Sequence, residues 1–305
     1  MDELRVHLNS VCNLESFSDP GLRSVLREVY PHELVRFGPD YPTGHEYRKD
    51  WEVGMAVAAL REGGALRPDA EILGIGAGNE PTIFHLTRLV RRVFATDLYL
   101  GNEHWDESAH VSMLHDPGEH WVGEWNPRRL VVQHMNALEL CYEDESFDGV
   151  FSSSSIEHFG SAAEVTRSLD EMFRVLKPGG VLSLSTEFRL AGPGPGIAGV
   201  LMFDEPQIRE LFLDPYDWSP IDPVDLSCSE ATLATEQVFG DLLGDLRAHL
   251  EGRRFIRFDQ LEWSRYPHLV LRDGDRVWTS VHLALRKADD TRRAGPSAVR
   301  EPQES

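Results

Sequence analysis

The segment Ile72-Leu73-Gly74-Ile75-Gly76-Ala77-Gly78-Asn79-Glu80-Pro81 sets three glycines on alternate positions directly behind a short apolar run. Glycine lets a strand turn tightly into a helix and lets a ligand lie against the backbone. A helix opening at Pro81 adds unpaired N–H groups. Asp97 stands nineteen residues beyond Gly78, at the end of the run Val93-Phe94-Ala95-Thr96. A carboxylate there accepts hydrogen bonds from two vicinal ribose hydroxyls, so the two features together predict a nucleoside site. A structural turn with a loop-capping Asp is the plainer alternative. The dinucleotide fingerprint G-x-G-x-x-G would need glycine at 79 or 81, where Asn79 and Pro81 stand. Glu80 would also repel a pyrophosphate at the helix start, which favours a cofactor without phosphates.

These residues need a scaffold, and the hydrophobic pattern supplies one. Apolar runs at Ile72–Ile75, Arg92–Thr96, Leu130–Gln133, Gly149–Ser152 and Val181–Thr186 alternate with helical stretches at Pro81–Val90 and Ala162–Leu176. Continuous apolar strands between helices predict parallel βαβ units buried on both faces. His268–Arg272, an Asp273-Gly274 turn and Arg276–Arg286 predict an antiparallel hairpin. The fold class is therefore α/β: a Rossmann-like, doubly wound, mostly parallel sheet with an antiparallel C-terminal hairpin, an N-terminal cap and an inserted substrate region. Expected boundaries are a cap over residues 1–50 and a cofactor-binding core over 51–190, with a lid insertion at 98–129. A substrate-binding insertion over 191–267, the closing hairpin over 268–286 and a disordered tail over 287–305 complete the layout.

Composition narrows the partners. With 30 Lys+Arg against 51 Asp+Glu in 305 residues, the net charge of −21 opposes nucleic-acid binding. No apolar run approaches the length of a membrane helix, and no secretory signal opens the chain. Cys12, Cys141 and Cys228 are widely separated, which predicts reduced thiols and a cytoplasmic protein acting on a small molecule.

Further segments fall in line behind the glycine loop. Asn136-Ala-Leu-Glu-Leu-Cys-Tyr-Glu-Asp-Glu-Ser-Phe-Asp-Gly-Val150, Phe151-Ser-Ser-Ser-Ser-Ile-Glu-His-Phe159 and Glu171-Met-Phe-Arg-Val-Leu-Lys-Pro-Gly-Gly180 follow in order. With Asp97, they make residues 70–186 resemble the class I S-adenosylmethionine-dependent methyltransferases of the type 11, or UbiE-like, small-molecule group. The resemblance implies S-adenosylmethionine as cofactor. It implies Gly74, Gly76 and Gly78 beside the methionyl part, Asp97 on the ribose and Leu98 on the adenine. Asn136, with Ala137 beside it, would read the adenine edge, and Ser153 would line the methionyl side. The sequence departs from the family at Gly74, which replaces an acid, at Glu80, which replaces a glycine, and at Asn136, which replaces an Asp. Those departures leave two alternatives: a catalytically inactive cofactor-binding partner protein, and a nicotinamide-dependent enzyme.

Methyl transfer from a sulfonium is a direct displacement, so the acceptor must be aligned and, for a hydroxyl, deprotonated. His158 is the candidate base, because an imidazole titrates near neutrality. Glu157 reads as a helix-start acid and Glu187 as a rim residue for a polar substrate; the stretch Tyr47–Glu52 could cap the cofactor, with Arg48 on its carboxylate, but reads better as a solvated helix start. In the lid, His104, Asp106, His110, His115, Asp116 and His120 are interleaved with Trp105, Trp121 and Trp125. This mixture suits stacking on a sugar better than a metal, since no regular metal signature is present. The expectation is O-methylation of a saccharide or glycosylated metabolite, with no metal. Phe212, Tyr216, Trp218, Trp263 and Tyr266 are further aromatic candidates, for which core packing is the commoner fate.

Overall fold

The computed structural model describes residues 7–100, 108–250 and 265–289. Five strands carry the core: β1 (Glu71–Ile75), β2 (Arg92–Asp97), β3 (Leu130–His134), β4 (Phe147–Ser153) and β5 (Leu176–Ala191). Two more close it: β6 (Leu271–Asp273) and β7 (Arg276–Lys287). Their order across the sheet is β6-β7-β5-β4-β1-β2-β3. Neighbours from β5 to β3 are parallel, while β7 runs antiparallel to both β5 and β6. Short segments add to the edges: Ser10–Val11 and Trp218–Pro220 pair with β7, and Gln237–Val238 pairs with β6.

Helices α1 (Pro20–Val29), α2 (Pro31–Phe37), α3 (Arg48–Glu62) and α4 (Pro81–Leu86) precede α5 (Ala162–Val175) and α6 (Phe239–Leu250). One apolar cluster packs α1, α3 and α4 on one face of the sheet, and a second packs α5 on the other. Two-sided coverage explains why the strands read as unbroken apolar runs. Among the described residues, no helix is long and apolar enough to cross a membrane.

Several elements differ from their sequence reading. The helix begun at Pro81 stops at Leu86 rather than Val90. β5 does not end at Thr186 but continues to Ala191, because β7 runs beside it as far as Val277. Glu187 therefore lies within a strand and not just after one. Lys287, placed in the tail by sequence, ends β7 and donates from Nζ to the carbonyls of Phe173 and Leu176. Residues 290–305 of the expected tail lie outside the described residues.

The strand order fixes where a ligand can sit. After β1 the chain runs outward through β2 and β3, then returns to lay β4 on the other side of β1. The loops leaving the carboxyl ends of β1 and β4 thus diverge and open a crevice between them.

Candidate active site

A cavity of about 690 Å³ occupies that crevice. Gly76, Gly78, Asp97, Leu98, Asn136, Ala137 and Ser153 all line it, as does His158. Gly74 does not. A Cβ on Gly74 would lie 2.6 Å from the Phe151 ring, so this glycine makes room for β4 packing and not for a ligand. The other two glycines are also demanded by the chain itself. At Gly76 (φ 60°) a Cβ would meet the Ser155 side chain at 2.4 Å, and at Gly78 (φ 46°) the Ser108 carbonyl oxygen at 2.2 Å. Both conformations are left-handed, which glycine adopts without strain.

The loop is pinned from outside. The Asn79 N–H donates to the Ser108 carbonyl (2.9 Å) and the Tyr99 hydroxyl donates to the Gly78 carbonyl (2.7 Å). Asp97 closes the crevice on the β2 side, accepting the Gly78 N–H at 2.8 Å and its neighbour Leu98 N–H at 2.6 Å. Burial raises the Asp97 pKa, and these two N–H groups oppose the rise. Asn136 turns the loop after β3 by accepting the Leu138 N–H at 3.0 Å, which leaves its amide NH2 for a ligand. Leu98 stays 41% exposed at the cavity edge, an apolar surface suited to a flat base.

Tyr47, Arg48, Lys49 and Glu52, better read from sequence as a solvated helix start, form a further wall of the cavity. Arg48 and Glu52, on the first turns of α3, are buried rather than solvated. Arg48 Nη1 donates to both oxygens of Glu187 at 2.7 and 2.8 Å, and to Ser280 Oγ at 3.0 Å. Lys49 Nζ donates to Glu52 Oε1 (3.0 Å) and to Glu187 Oε1 (3.1 Å). Ser154 donates to Glu52 at 2.6 Å and itself accepts from Lys49, while Ser280 also donates to Glu52. Burial alone would raise the Glu187 pKa, but Arg48 and Lys49 outweigh it and hold the carboxyl at about 2. These bonds also hold Ser154 at φ 46°, an uncommon conformation for a residue with a side chain. The signal in the sequence was α3 itself: every residue from Trp51 to Leu60 is buried, so the helix has no solvated face on which to place Arg48.

His158 sits on the short 3₁₀ turn Ile156–His158 after β4. Its Nδ1 lies 2.8 Å from the Gly199 carbonyl oxygen. A carbonyl can only accept, so Nδ1 carries the hydrogen and Nε2 carries the lone pair. Glu157, behind it, accepts from Thr186 at 2.9 Å and has its other oxygen 4.0 Å from His158 Nε2. It stands in the first turn of that 3₁₀ helix and is buried, and burial raises its pKa against the opposing pull of His158.

The aromatic lid reading requires correction. Trp121 stacks on Phe84 of α4 (ring centroids 5.6 Å apart, 8° between planes), and Trp125 meets the same ring edge-on at 5.4 Å. His120 is buried beside Ser112 (2.6 Å) and Asn79 (3.2 Å). These residues fill the core below the glycine loop and present no face to the cavity. Among the described residues of this segment, only Leu98, Ser108 and Ala109 line it, and His104, Trp105 and Asp106 lie outside the described residues. Among the described residues, no three His, Cys, Asp or Glu side chains gather as a metal site would require.

In the 191–267 insertion, Phe212 packs on Phe203, Tyr216 and Trp218 on Phe173, and Tyr266 against His45. Trp263 lies outside the described residues. The insertion instead lends the cavity Ile197, Val200, Phe239 and Leu246, which line it with Trp278 of β7.

Comparison with known proteins adds a family. Residues 73–184 match a methyltransferase domain of type 11. A 27-O-demethylrifamycin SV methyltransferase from Amycolatopsis mediterranei is 29% identical over 166 residues, covering 49% of this chain and 56% of that protein. The chain thus spans about half the length of this relative. Among solved structures, the cyclase SpnF is similar with a TM-score of 0.47 and 17% identity, covering 77% of this chain and 82% of that one. A SAM-dependent methyltransferase from Methanosarcina mazei follows with a TM-score of 0.42 and 17% identity, covering 74% and 96%.

Proposed function

We propose that the chain is an S-adenosylmethionine-dependent methyltransferase that methylates a hydroxyl of a small molecule, with His158 as the base; the methyltransferase domain matched by residues 73–184 supports this reading. The observation that carries this reading is a single cavity. The glycine loop, Asp97 and Asn136 line it together with His158 and an apolar group, Ile197, Val200, Phe239, Leu246 and Trp278.

The residues present fit the cofactor. Ser153 Oγ and Glu80 Oε1 are buried without hydrogen-bond partners, so polar atoms in this cavity await a ligand. Asp97 would accept the ribose hydroxyls, Leu98 would cover the adenine and the Asn136 amide would meet its edge. When bound, S-adenosylmethionine supplies an electrophilic methyl whose positive charge is lost as the new bond forms. The chain's own task is then to align the acceptor and take its proton. His158 Nε2, oriented by the Nδ1–H bond to Gly199, receives the proton from the acceptor hydroxyl. The Glu157 carboxyl, 4.0 Å from Nε2, would stabilise the imidazolium that results.

The apolar lining favours an apolar molecule bearing a hydroxyl over a saccharide. Ile197, Val200, Phe239, Leu246 and Trp278 offer few polar partners to a sugar's edges, and Trp121 and Trp125, which prompted the saccharide expectation, are committed to Phe84. The rifamycin relative's name specifies transfer to an oxygen, which agrees with a hydroxyl acceptor. The test is a methyl-transfer screen with labelled S-adenosylmethionine, pairing apolar phenols and alicyclic alcohols against glycosides. Transfer to the former supports the reading, and transfer to glycosides alone overturns the acceptor class.

A further inference from the structure

Four carboxylates line the cavity: Glu52, Glu80, Asp97 and Glu187. Three are satisfied by the protein. Glu52 and Glu187 are held by Arg48, Lys49 and hydroxyls, and Asp97 accepts two backbone N–H groups. Among the described residues, only Glu80 of the four keeps a buried oxygen with no hydrogen-bond partner. The Thr82 and Ser153 hydroxyls flank the carboxyl and favour its charged form, but neither makes a well-aligned hydrogen bond to Glu80 Oε1. An unpaired acid in so covered a place is costly unless a ligand compensates it.

Gly74 sharpens the point. The acid that the family places there is absent, and the space a side chain would need is filled by Phe151, so no carboxylate could return to that position without displacing the ring. Glu80 lies six residues further on and presents its carboxyl to the cavity from the other end of the same loop.

We propose that Glu80 binds the α-ammonium of the cofactor's methionyl chain, taking over from the loop's lost acid. The inference rests on the proposed function, since it assumes that the cavity takes S-adenosylmethionine. Net charge is consistent with it: the cofactor brings an ammonium and a sulfonium against one carboxylate, no Arg or Lys among the described residues meets Glu80 or Asp97, and Asp97 is already taken by two backbone N–H groups. Lys49, which lines the same cavity, offers a cation to the cofactor's carboxylate.

The experiment is calorimetric titration of the wild type and Glu80→Gln with three ligands: S-adenosylmethionine, S-adenosylhomocysteine and 5′-methylthioadenosine. The first two carry the ammonium, only the first carries the sulfonium, and the third has neither. Glu80→Gln should weaken S-adenosylmethionine and S-adenosylhomocysteine alike, by about tenfold to a hundredfold. It should leave 5′-methylthioadenosine within about twofold, which also shows that the variant is folded. Equal weakening of all three ligands, weakening of S-adenosylmethionine alone, or no weakening would each overturn the proposal. Should the Gln variant melt below the wild type, Glu80→Gly, which restores the family residue, gives the same comparison. A wild type that binds none of the three defeats the proposed function itself, an outcome distinct from failure of the Glu80 assignment.

Discussion

The two walls of the cavity solve the problem of buried polarity in opposite ways. On the α3 side, Arg48 and Lys49 face Glu52 and Glu187, and each charge is met by one of opposite sign. On the glycine-loop side, Glu80 and Ser153 hold buried oxygens with no partner. A wall whose charges meet one another is scaffold, even with Arg48 Nε left without a hydrogen bond, and it ties α3, β4, β5 and β7 together at the crevice. A wall left unsatisfied is where a ligand has most to contribute. Charge content does not separate the two, since both are rich in acids. Pairing does.

This contrast is open to attack from either wall. Replacing Arg48 by Met leaves Glu187 and Glu52 buried with Lys49 as their only cation. Unfolding in urea should then show a loss of about 3–5 kcal/mol, the cost of stranding a buried charge. A loss under about 1 kcal/mol would mean that the α3 wall is not the structural element described.

His158→Ala should reduce turnover about a hundredfold or more, the usual contribution of a positioned base. Its Kd for S-adenosylhomocysteine should stay near the wild-type value, and unchanged turnover would remove His158 from the mechanism.

The glycine-loop wall should respond in the other direction. Burial, with Glu52 and Asp97 nearby, raises the Glu80 pKa from 4.5 to about 8, while Thr82 and Ser153 oppose the rise. The folded state therefore binds the proton more tightly than the unfolded one. The stability this provides is complete below pH 4.5 and is lost as pH rises through 8. Without ligand, Glu80→Gln should consequently be more stable than the wild type at pH 9, by roughly 2 kcal/mol, with the gap closing towards pH 5. A destabilised variant at pH 9 would show that the carboxylate is compensated within the protein. Smallest of all, Ser153→Ala should change stability by less than about 0.5 kcal/mol, because its hydroxyl makes no well-aligned hydrogen bond there. The same variant should weaken S-adenosylhomocysteine several-fold, as read by calorimetry.

Much of this fold was legible in the sequence because doubly covered strands leave a plain signature. Ile72–Ile75 and Val181–Thr186 read as strands, and Asp273-Gly274 as a turn, from local chemistry alone. The alternate glycines, Asp97 and the run after β4 also announced a shared site, and all but Gly74 line one cavity. What escaped was tertiary. Trp121 and Trp125 look like a sugar platform in a polar segment, and nothing local reveals that Phe84 is their partner. Arg48 reads as solvated because Arg usually is, whereas the unbroken burial of α3 draws it inward onto Glu187, a residue 139 positions away. Pairing over such a separation has no periodic trace in a single sequence.

The central claim is that this cavity holds S-adenosylmethionine, and titration of the wild-type protein with S-adenosylhomocysteine in a calorimeter tests it most directly. The account predicts saturable one-to-one binding with a Kd in the micromolar range, about −8 kcal/mol, unaffected by excess NADH. Absence of binding, or displacement of the ligand by NADH, would contradict it.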